Sequence, residues 1–499
     1  MKRAILSATL TLAMGIAACA QSVTWITSSD GHYLQKQKTL KMTARADAEP
    51  IMSITGKENG TEIARWGTTF NERDWHALLM LSASDRDAIL DNLFVPGKGI
   101  GFNAGRIGMN ANDYALSWFS CDEVDGDFQL RYFNIDRDQK YIIPYIHEAQ
   151  KRYPQMTFWI SPWSPPTWMK VNHHYAVQSS RWSDLDKQKD YILFSGNKNS
   201  DNEQVQTDEN IFPQRLATQN FMIQDPRYLQ AYADYFCRFI DAYGKEGIPI
   251  SMVMYQNEAY SYTPYPGCPW TTEGILRFNN DYLAPTLQRE HPEVDLFIGT
   301  FNTNRYDHVI GILSDTTLQC NVRGVGVQWE GLQILPQLRQ KFPQMEYICS
   351  ESECGNGSND WKAAEHTFDL INQNLGNGCR QYYNWNAVLC GNGRSSWGWT
   401  QNALVEVDSV AHTYRYTPEY YTYIHYARYI PAGSHIIAFR TSQETDGTPV
   451  LAARRSDGAL VITAANFNDS ARTVTIAIRG RYLNITLPAH SFHTCLLKC

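Results

Sequence analysis

Short apolar runs alternate with longer stretches of helical spacing from about residue 64 to residue 386. Eight such runs can be counted, and helical segments separate most of them. Alternation of buried strands and helices is typical of a parallel sheet covered by helices, and eight repeats close such a sheet into a barrel. The sequence therefore predicts an α/β fold of the (β/α)8, or TIM-barrel, class.

The pattern also predicts where the elements lie. Strands are predicted at 64–70, 101–109, 157–160, 249–258, 295–300, 322–328, 346–351 and 379–383. Helices are predicted at 74–94, with Ser84 as an internal cap, and at 139–153, 228–243, 280–290 and 361–374. Active sites of such barrels lie at the carboxyl ends of the strands, which makes the strand ends the place to search for function.

The two ends of the chain differ from this central region because their apolar residues alternate with polar ones. Residues 450–454 and 460–464 read as a hairpin, and 473–478 and 483–487 as further strands. We therefore predict a β-sandwich at 429–499, which the N-terminal strands of 23–59 join. The barrel then spans 60–428.

The first residues carry an export signal. Two basic residues precede an apolar run at 4–18 that is too short to span a membrane, which is typical of a signal peptide. Residues 16–19, Ile-Ala-Ala-Cys, resemble the lipobox of bacterial lipoproteins, in which Cys19 is lipidated; simple cleavage after Ala20 is the alternative. We expect an exported protein, in the bacterial periplasm or on the cell surface, that contacts membrane only through this anchor.

Two predicted strands end in a glutamate. Glu258 follows the fourth strand and Glu351 ends the seventh, so both carboxyl groups would face the same end of the barrel. Glycoside hydrolysis needs two carboxyl groups, one as acid/base and the other as nucleophile or second base. The alternatives are that the two are unrelated surface acids, or that Glu353 replaces Glu351.

Other polar and aromatic residues also follow the strands, and we predict that they bind substrate. They are Arg106, Asp113, Trp163, Asn257, Trp329 and Trp385. An arginine beside a carboxyl group favours its ionised form. The structural alternatives are an ion pair inside the barrel for Arg106, a helix cap for Asp113 and core packing for the two tryptophans at 163 and 385.

Composition narrows the ligand class. A net charge of -7 argues against nucleic acid, whereas 14 Trp and 29 Tyr would supply aromatic faces that stack on sugars. The cysteines form no CxxC pair and no spacing with histidine that would hold zinc, so we predict no metal and no cofactor. Their disulfide pairing is left open.

Several segments resemble glycoside hydrolase family 30, a family of retaining (β/α)8 enzymes that includes glucosylceramidases. They are residues 106–113 (RIGMNAND), 127–130 (DFQL), 161–170 (SPWSPPTWMK) and 350–351 (SE), and the similarity runs in order from residue 65 to the C-terminus. The resemblance implies that Glu258 is the acid/base and Glu351 the nucleophile. It also implies that Asn257 holds the sugar 2-hydroxyl, that Arg106 orients the nucleophile, and that Asp113, Trp163 and Trp385 line the glucose subsite.

One position departs from the glucosylceramidase pattern. Where those enzymes carry a tyrosine beside the nucleophile, this chain has Glu330, so either a third carboxylate lies near the site or another residue replaces the tyrosine. The runs 326–329 (GVQW) and 350–357 (SESECGNG) look more like the endo-β-1,6-glucanase subfamily. A polar insertion at 172–219 and an aromatic loop at 260–270 also suit a polysaccharide, the latter as platforms for the leaving-group sugars.

The main hypothesis is therefore a retaining endo-β-1,6-glucanase that acts on β-glucan. A glucosylceramidase or exo-β-glucosidase is the alternative within enzymes. A glycan-binding lipoprotein without turnover is a third hypothesis, which the presence of both glutamates disfavours.

Overall fold

The computed structural model describes residues 22–58, 60–178, 180 and 220–498. The predicted signal peptide with Cys19, and nearly all of the polar insertion after Gln178, lie outside the described residues. In the part that is described, no helix is both long and apolar enough to cross a membrane.

The predicted barrel is confirmed. Eight parallel strands form a closed barrel. Each strand pairs with the barrel strands that precede and follow it in the sequence, and the eighth pairs with the first. They are Arg65–Phe70, Ala104–Met109, Thr157–Pro162, Ile250–Met254, Asp295–Phe301, Gly324–Gln328, Glu346–Glu351 and Gln381–Asn384. The inward-facing residues Trp159, Met254, Phe297, Ile348 and Tyr383 fill the interior as a separate apolar cluster, so the barrel is packed and has no pore.

Helices surround the barrel, mostly where the pattern predicted them. They span Glu72–Leu79, Ala83–Phe94, Asp136–Arg152, Pro226–Lys245, Thr272–Phe278, Ala284–Glu290, Tyr306–Leu313, Thr316–Asn321, Leu335–Lys341, Trp361–Gly376 and Pro418–Tyr423. Short 3-10 turns lie at Thr167–Met169 and Glu330–Gln333, and π-helical turns at Asn279–Leu283 and Ile424–Arg428.

The helical stretch predicted over 74–94 contains an internal cap, as expected, but the cap is not Ser84. The chain breaks it into two helices, and the second begins after Ser82, whose hydroxyl accepts a hydrogen bond from the backbone N–H of Asp85 at 3.1 Å. A serine oxygen in this position satisfies one of the free N–H groups at a helix start. The cap is therefore Ser82, two residues before the predicted Ser84.

The second layer of the molecule is the predicted β-sandwich. One sheet contains Ser22–Ser29, His32–Lys36, Leu40–Lys41, Thr61–Glu62, His435–Arg440, Val450–Arg454, Leu460–Asn466 and Ser491–Leu497. The other contains Pro50–Ile54, Arg472–Ile478 and Arg481–Leu487. Ser22–Ser29 pairs antiparallel with Ser491–Leu497, from Val23 opposite Leu497 to Ser29 opposite Ser491. The two ends of the described chain thus lie side by side.

The sandwich and the barrel share one continuous apolar core, which includes Val461 and Phe492 of the sandwich. His425, next to the barrel, is fully buried, and its two ring nitrogens contact the hydroxyls of Ser28 and Thr494 at 2.8 Å each. A third sheet of Val388–Cys390, Val405–Asp408 and Thr413–Tyr416 follows the eighth barrel strand.

Candidate active site

A cavity of about 770 Å³ lies at the carboxyl ends of the barrel strands, where the fold class places active sites. Both predicted catalytic residues line it, together with four of the six predicted binding residues. The lining residues at its centre are Asp113, Trp163, Asn257, Glu258, Tyr265, Asn302, Trp329 and Glu351. Arg106 and Trp385 lie behind this wall.

Glu351 is the last residue of the seventh strand, and it forms an ion pair with Arg106 from the second strand. The arginine side chain is 0% exposed and the glutamate side chain 9%. The arginine Nε and Nη2 also donate to Ser161 Oγ at 3.2 and 3.0 Å, which fixes the plane of the guanidinium group. Gln328 Nε2 approaches the same oxygen, Glu351 Oε2, at 3.2 Å. The carboxylate is therefore oriented from two sides.

Asn257 is held by its side-chain oxygen. Arg106 Nη2 donates to Asn257 Oδ1 at 2.7 Å, Gln328 Nε2 at 2.8 Å and the Thr300 hydroxyl at 3.0 Å. Because this oxygen accepts all three hydrogen bonds, the Nδ2 group is the part of the amide that remains to face the cavity. An amide N–H there can donate to a ligand hydroxyl.

Glu258 lies four residues beyond the fourth strand, and its backbone has a φ of 48°. Residues other than glycine rarely adopt this left-handed backbone conformation, so the surrounding contacts must stabilise it. Its N–H donates to Thr300 Oγ1 at 3.1 Å, while its carboxyl oxygens accept from Asn302 Nδ2 at 3.0 Å and from Ser261 Oγ at 2.8 Å. The carboxyl group thereby lines the cavity.

Burial governs the acidity of both carboxyl groups. It raises the pKa of Glu351 to about 7, since the attraction of Arg106 only partly opposes the loss of solvent and the nearby Glu258 adds repulsion. Burial also raises the pKa of Glu258, against the hydrogen bonds from Asn302 and Ser261. Because Arg106 contacts Glu351 directly, the first negative charge on the pair resides on Glu351.

Asp113 is buried in the cavity wall, and its Oδ1 atom has no hydrogen-bond partner among the described residues. Burial raises its pKa well above the usual range, and Glu351 and Glu258 add to the effect. A buried polar atom without a partner carries a free-energy cost that a ligand hydroxyl would remove. Asp113 caps no helix among the described residues, and its hydrogen bond to a ligand stays a prediction.

The aromatic residues form a stack. Trp163 lines the cavity, and the ring of Trp385 lies behind it at a centroid distance of 5.1 Å. The Arg106 guanidinium carbon lies 4.4 Å from the Trp163 ring centroid and 5.4 Å from that of Trp385. Trp385 thus supports Trp163, and a direct contact between it and substrate stays a prediction.

The aromatic loop at 260–270 corrects one expectation. Tyr260, Tyr262 and Trp270 are 6% exposed or less and pack into the protein core, so they offer no platforms for leaving-group sugars. Tyr265 alone of the aromatic residues in this loop lines the cavity. The residue type alone does not distinguish a tyrosine buried in the core from one that lines the cavity.

The sequence left open the roles of two other acidic residues, Glu330 and Glu353. Glu330 does not line the cavity; its backbone N–H donates to Asn302 Oδ1 at 3.1 Å, and its carboxylate accepts from Gln333 Nε2 at 3.3 Å. Glu353 does line the cavity, but its carboxylate pairs with His366. Glu330 is therefore not a third carboxylate of this cavity, whereas Tyr265 supplies a tyrosine to its lining.

Sequence reasoning missed the polar residues that hold the two glutamates: Ser261, Thr300, Asn302 and Gln328. Gln328 is the last residue of the sixth strand and fully buried, so its position at a strand end was the available signal. No group of three or more His, Cys, Asp or Glu residues in the described part of the chain is arranged to hold a metal ion.

Comparison with known proteins identifies the family. A model of the glycosyl hydrolase family 30 TIM-barrel domain matches residues 63–189 and 217–430, and a model of the family 30 beta sandwich domain matches residues 433–495. The chain belongs to glycosyl hydrolase family 30. In this member of the β-glycosidase family, Glu258 and Glu351 line one cavity at the carboxyl ends of the barrel strands.

Relatives within family 30 differ in what they act on. The lysosomal acid glucosylceramidase of Mus musculus is 26% identical over 475 residues, 90% of this chain and 83% of that protein. The endo-1,6-beta-D-glucanase of Neurospora crassa is 22% identical over 513 residues, 97% of this chain and 94% of that protein. The solved structure of an endo-beta1,6-glucanase shares the fold, with a TM-score of 0.74 and 20% identity, over 95% of this chain and 99% of the other.

Proposed function

We propose that this family 30 glycosidase is a retaining endo-β-1,6-glucanase. The observation that carries the proposal is the pair of glutamates in one cavity, of which Glu351 contacts a fully buried arginine and Glu258 does not. Two carboxyl groups in unlike surroundings can take unlike roles in glycoside hydrolysis.

Glu351 is the proposed nucleophile. One of its oxygens attacks the anomeric carbon, the bond from that carbon to the glycosidic oxygen breaks, and a covalent glycosyl ester forms. The ion pair with Arg106 and the hydrogen bond from Gln328 favour the ionised form that this step needs. Asn257, positioned by the same two residues, is the proposed partner of the sugar 2-hydroxyl.

Glu258 is the proposed acid/base. It gives its proton to the departing glycosidic oxygen and then takes one from the water that hydrolyses the ester, so the product keeps the β-configuration. The raised pKa of this carboxyl group supports the role, because the group must hold its proton near neutral pH.

The cavity wall favours a polysaccharide over a lipid. Beyond Glu351 it is formed by polar and charged side chains, among them Asn356, Ser358, Gln401 and Asn402. Such groups hydrogen-bond to the hydroxyls of a sugar. An acyl chain would remove water from them without offering a hydrogen bond in return, which costs free energy. The glucanase relative supports the choice of a β-1,6 linkage, and the glucosylceramidase relative makes glucosylceramide the second substrate to test.

The test is a parallel assay of the purified protein on linear β-1,6-glucan, β-1,3-glucan, β-1,4-glucan, xylan, 4-nitrophenyl β-glucoside and glucosylceramide in detergent. We expect gluco-oligosaccharides from the β-1,6-glucan, and proton NMR of the fresh product should show the β-anomer first. Release of ceramide without cleavage of the β-1,6-glucan would overturn the substrate and leave the two-glutamate mechanism in place.

We also propose that the mature protein is lipid-anchored at Cys19 and exported, on the strength of the residues 16–19 alone. Expressed in a bacterium, the wild type should enter the detergent phase, whereas Cys19→Ala should not. A soluble mature form that begins at Gln21 would instead show ordinary signal cleavage.

A further inference from the structure

The cavity is larger than the part that contains the two glutamates. From Glu351 it continues along the residues that follow the seventh and eighth strands, where Glu353, Asp360, Lys362, His366 and Glu419 line it. We call this continuation the side lobe. Its total volume of about 770 Å³ lies in the upper part of the range of small-molecule sites, roughly 300–1,000 Å³.

Glu419 is the unusual residue of the side lobe. It is only 6% exposed, and its Oε1 accepts a hydrogen bond from the Thr367 hydroxyl at 2.7 Å. Its other oxygen, Oε2, is buried and has no hydrogen-bond partner among the described residues. Burial raises the pKa of this carboxyl group to about 7, although Thr367 and Asn402 oppose the shift. An unpaired buried carboxyl oxygen in a cavity wall is a ready partner for a ligand hydroxyl.

The neighbouring charged groups are already occupied. Glu353 pairs with His366, and the Asp360 carboxylate accepts from the backbone N–H of Ala363 at 2.9 Å as the cap of its helix. With three acids against Lys362 and one histidine, the lobe has no excess of positive charge to attract an anion. A neutral ligand rich in hydroxyl groups fits this chemistry.

Barrel topology gives the direction of the lobe. The eighth strand lies opposite the fourth in the closed order of eight, and the acid/base Glu258 follows the fourth. The group that leaves must lie near the acid that protonates it, on the side of the fourth strand. The side lobe, beyond Glu351 and after the seventh and eighth strands, is therefore on the opposite side, where the sugar that stays bound continues.

We propose that the side lobe is a subsite for a second glucosyl unit on the non-leaving side, with Glu419 Oε2 accepting a hydrogen bond from one of its hydroxyls. This inference rests on the proposed glucanase function and deepens it, because a site that holds two units on this side can cleave within a chain. An enzyme restricted to terminal glucose has no use for such a subsite.

The test compares two chromogenic substrates, 4-nitrophenyl β-glucoside with one glucosyl unit and 4-nitrophenyl β-gentiobioside with two. For the wild type we expect kcat/KM for release of nitrophenol to be at least about ten-fold higher on the gentiobioside, with intact gentiobiose as the product. In Glu419→Gln this ratio should fall by about ten-fold, which is the usual effect of losing one hydrogen bond to a charged group.

Asp138→Asn is the matched control. Asp138 is also buried, its pKa is also raised by burial to about 7, and it also accepts one hydroxyl hydrogen bond, from Tyr243 at 2.8 Å, but it does not line the cavity. Its ratio should equal that of the wild type. Should Glu419→Gln fail to fold, Ala363→Phe at the lobe wall, with Ala88→Phe on another helix as its control, should lower the ratio by steric block.

Two results would overturn the subsite: a wild-type ratio near one, or an equal loss on both substrates in Glu419→Gln. An unchanged ratio in both lobe variants would overturn it as well, because a blocked lobe could not then be holding the second glucosyl unit. These outcomes are distinct from failure of the proposed function. If the wild type cleaves β-1,6-glucan and its ratio is near one, only the subsite is wrong; if it cleaves glucosylceramide alone, the glucanase assignment is wrong.

Discussion

The seventh barrel strand, Glu346–Glu351, carries a glutamate at each end. The arginines that pair with these two glutamates differ in their exposure to solvent. Glu346 meets Arg380 at 3.1 Å and Arg323 at 3.6 Å, and these two arginine side chains are 32% and 57% exposed. Glu351 meets one arginine that is 0% exposed. Solvated ion pairs contribute about 0–1 kcal/mol each, whereas breaking a buried pair costs about 3–5 kcal/mol. The same residue types therefore form partly exposed ion pairs at one end of the barrel and a buried pair in the candidate active site at the other.

The largest expected effect is a direct contrast between these two glutamates. Glu351→Ala should lower kcat by roughly 10⁴-fold or more, because it removes the proposed nucleophile. Azide or formate should restore part of the activity and give a product of inverted configuration. Glu346→Ala should keep kcat within a few-fold of the wild type. A low kcat in Glu346→Ala, or an unimpaired Glu351→Ala alongside an inactive Glu353→Ala, would contradict the assignment.

The second contrast lies within the site. Glu258→Ala should lower kcat/KM by about 10²–10⁴-fold on β-1,6-glucan, whose leaving group needs a proton. The loss should be much smaller on an activated aryl glucoside, whose leaving group needs little acid help. Steady-state kinetics on both substrates measure the difference. Equal losses on the two would show that Glu258 does not act as the acid.

The third prediction uses the raised pKa values. The kcat/KM of the wild type should rise with pH through about 7 as Glu351 ionises, and it should fall as Glu258, whose pKa is also raised by burial, loses its proton. Because the first negative charge of the pair resides on Glu351, Glu258→Gln should leave the rising limb in place and remove the falling limb when the reaction is followed with an aryl glucoside. A rising limb that moves to lower pH would mean that Glu258 is already negative while Glu351 titrates.

The stability of the folded protein should decrease as pH rises from acidic to neutral values. A carboxyl group whose pKa is raised by folding binds its proton more tightly in the folded state, so stability falls as pH rises from the unfolded pKa, about 4.3, to the folded one. Asp138 and Glu419 have folded pKa values of about 7. The Tm should therefore decline between about pH 4.5 and 7, and Asp138→Asn should flatten the decline. If the Tm of Asp138→Asn declines with pH as steeply as that of the wild type, Asp138 does not contribute to the pH dependence of stability.

The smallest expected effect is at the other end of the barrel. Arg380→Ala removes ion pairs to Glu346 and Glu62, whose side chains are 10% and 46% exposed. The free energy of unfolding in urea should fall by about 1 kcal/mol or less, and kcat should not change. A loss of several kcal/mol would show that the two ends of the barrel are less different than their exposure indicates.

Much of the barrel and its two glutamates could be predicted because both depend on local signals. An apolar run that ends in a polar residue identifies a strand and its carboxyl end, which was sufficient for Glu351, whereas Arg106 lies within its strand, Ala104–Met109. The predicted strand 249–258 was too long, however, because Glu258 lies four residues past the strand in a left-handed conformation. That conformation depends on contacts with Thr300, Asn302 and Ser261, which are brought together only by folding.

Other parts of the site had no usable signal. Tyr260, Tyr262 and Tyr265 belong to one loop and are chemically identical, yet only the last lines the cavity, since neighbouring elements cover the others. The unpaired oxygen of Glu419 likewise results from packing on every side. Contacts between distant segments, and not the residue types themselves, decide these cases.

The pairing of Ser22–Ser29 with Ser491–Leu497 has a consequence for synthesis. The first strand leaves the ribosome long before its neighbour exists, and at about 5–20 residues per second the wait is on the order of tens of seconds. Throughout that time its hydrogen-bonding edge is open to any other strand, including that of a second nascent chain. The sandwich can close only after the strand Ser491–Leu497 has been made, so a chain that stops short of this strand leaves the edge uncovered.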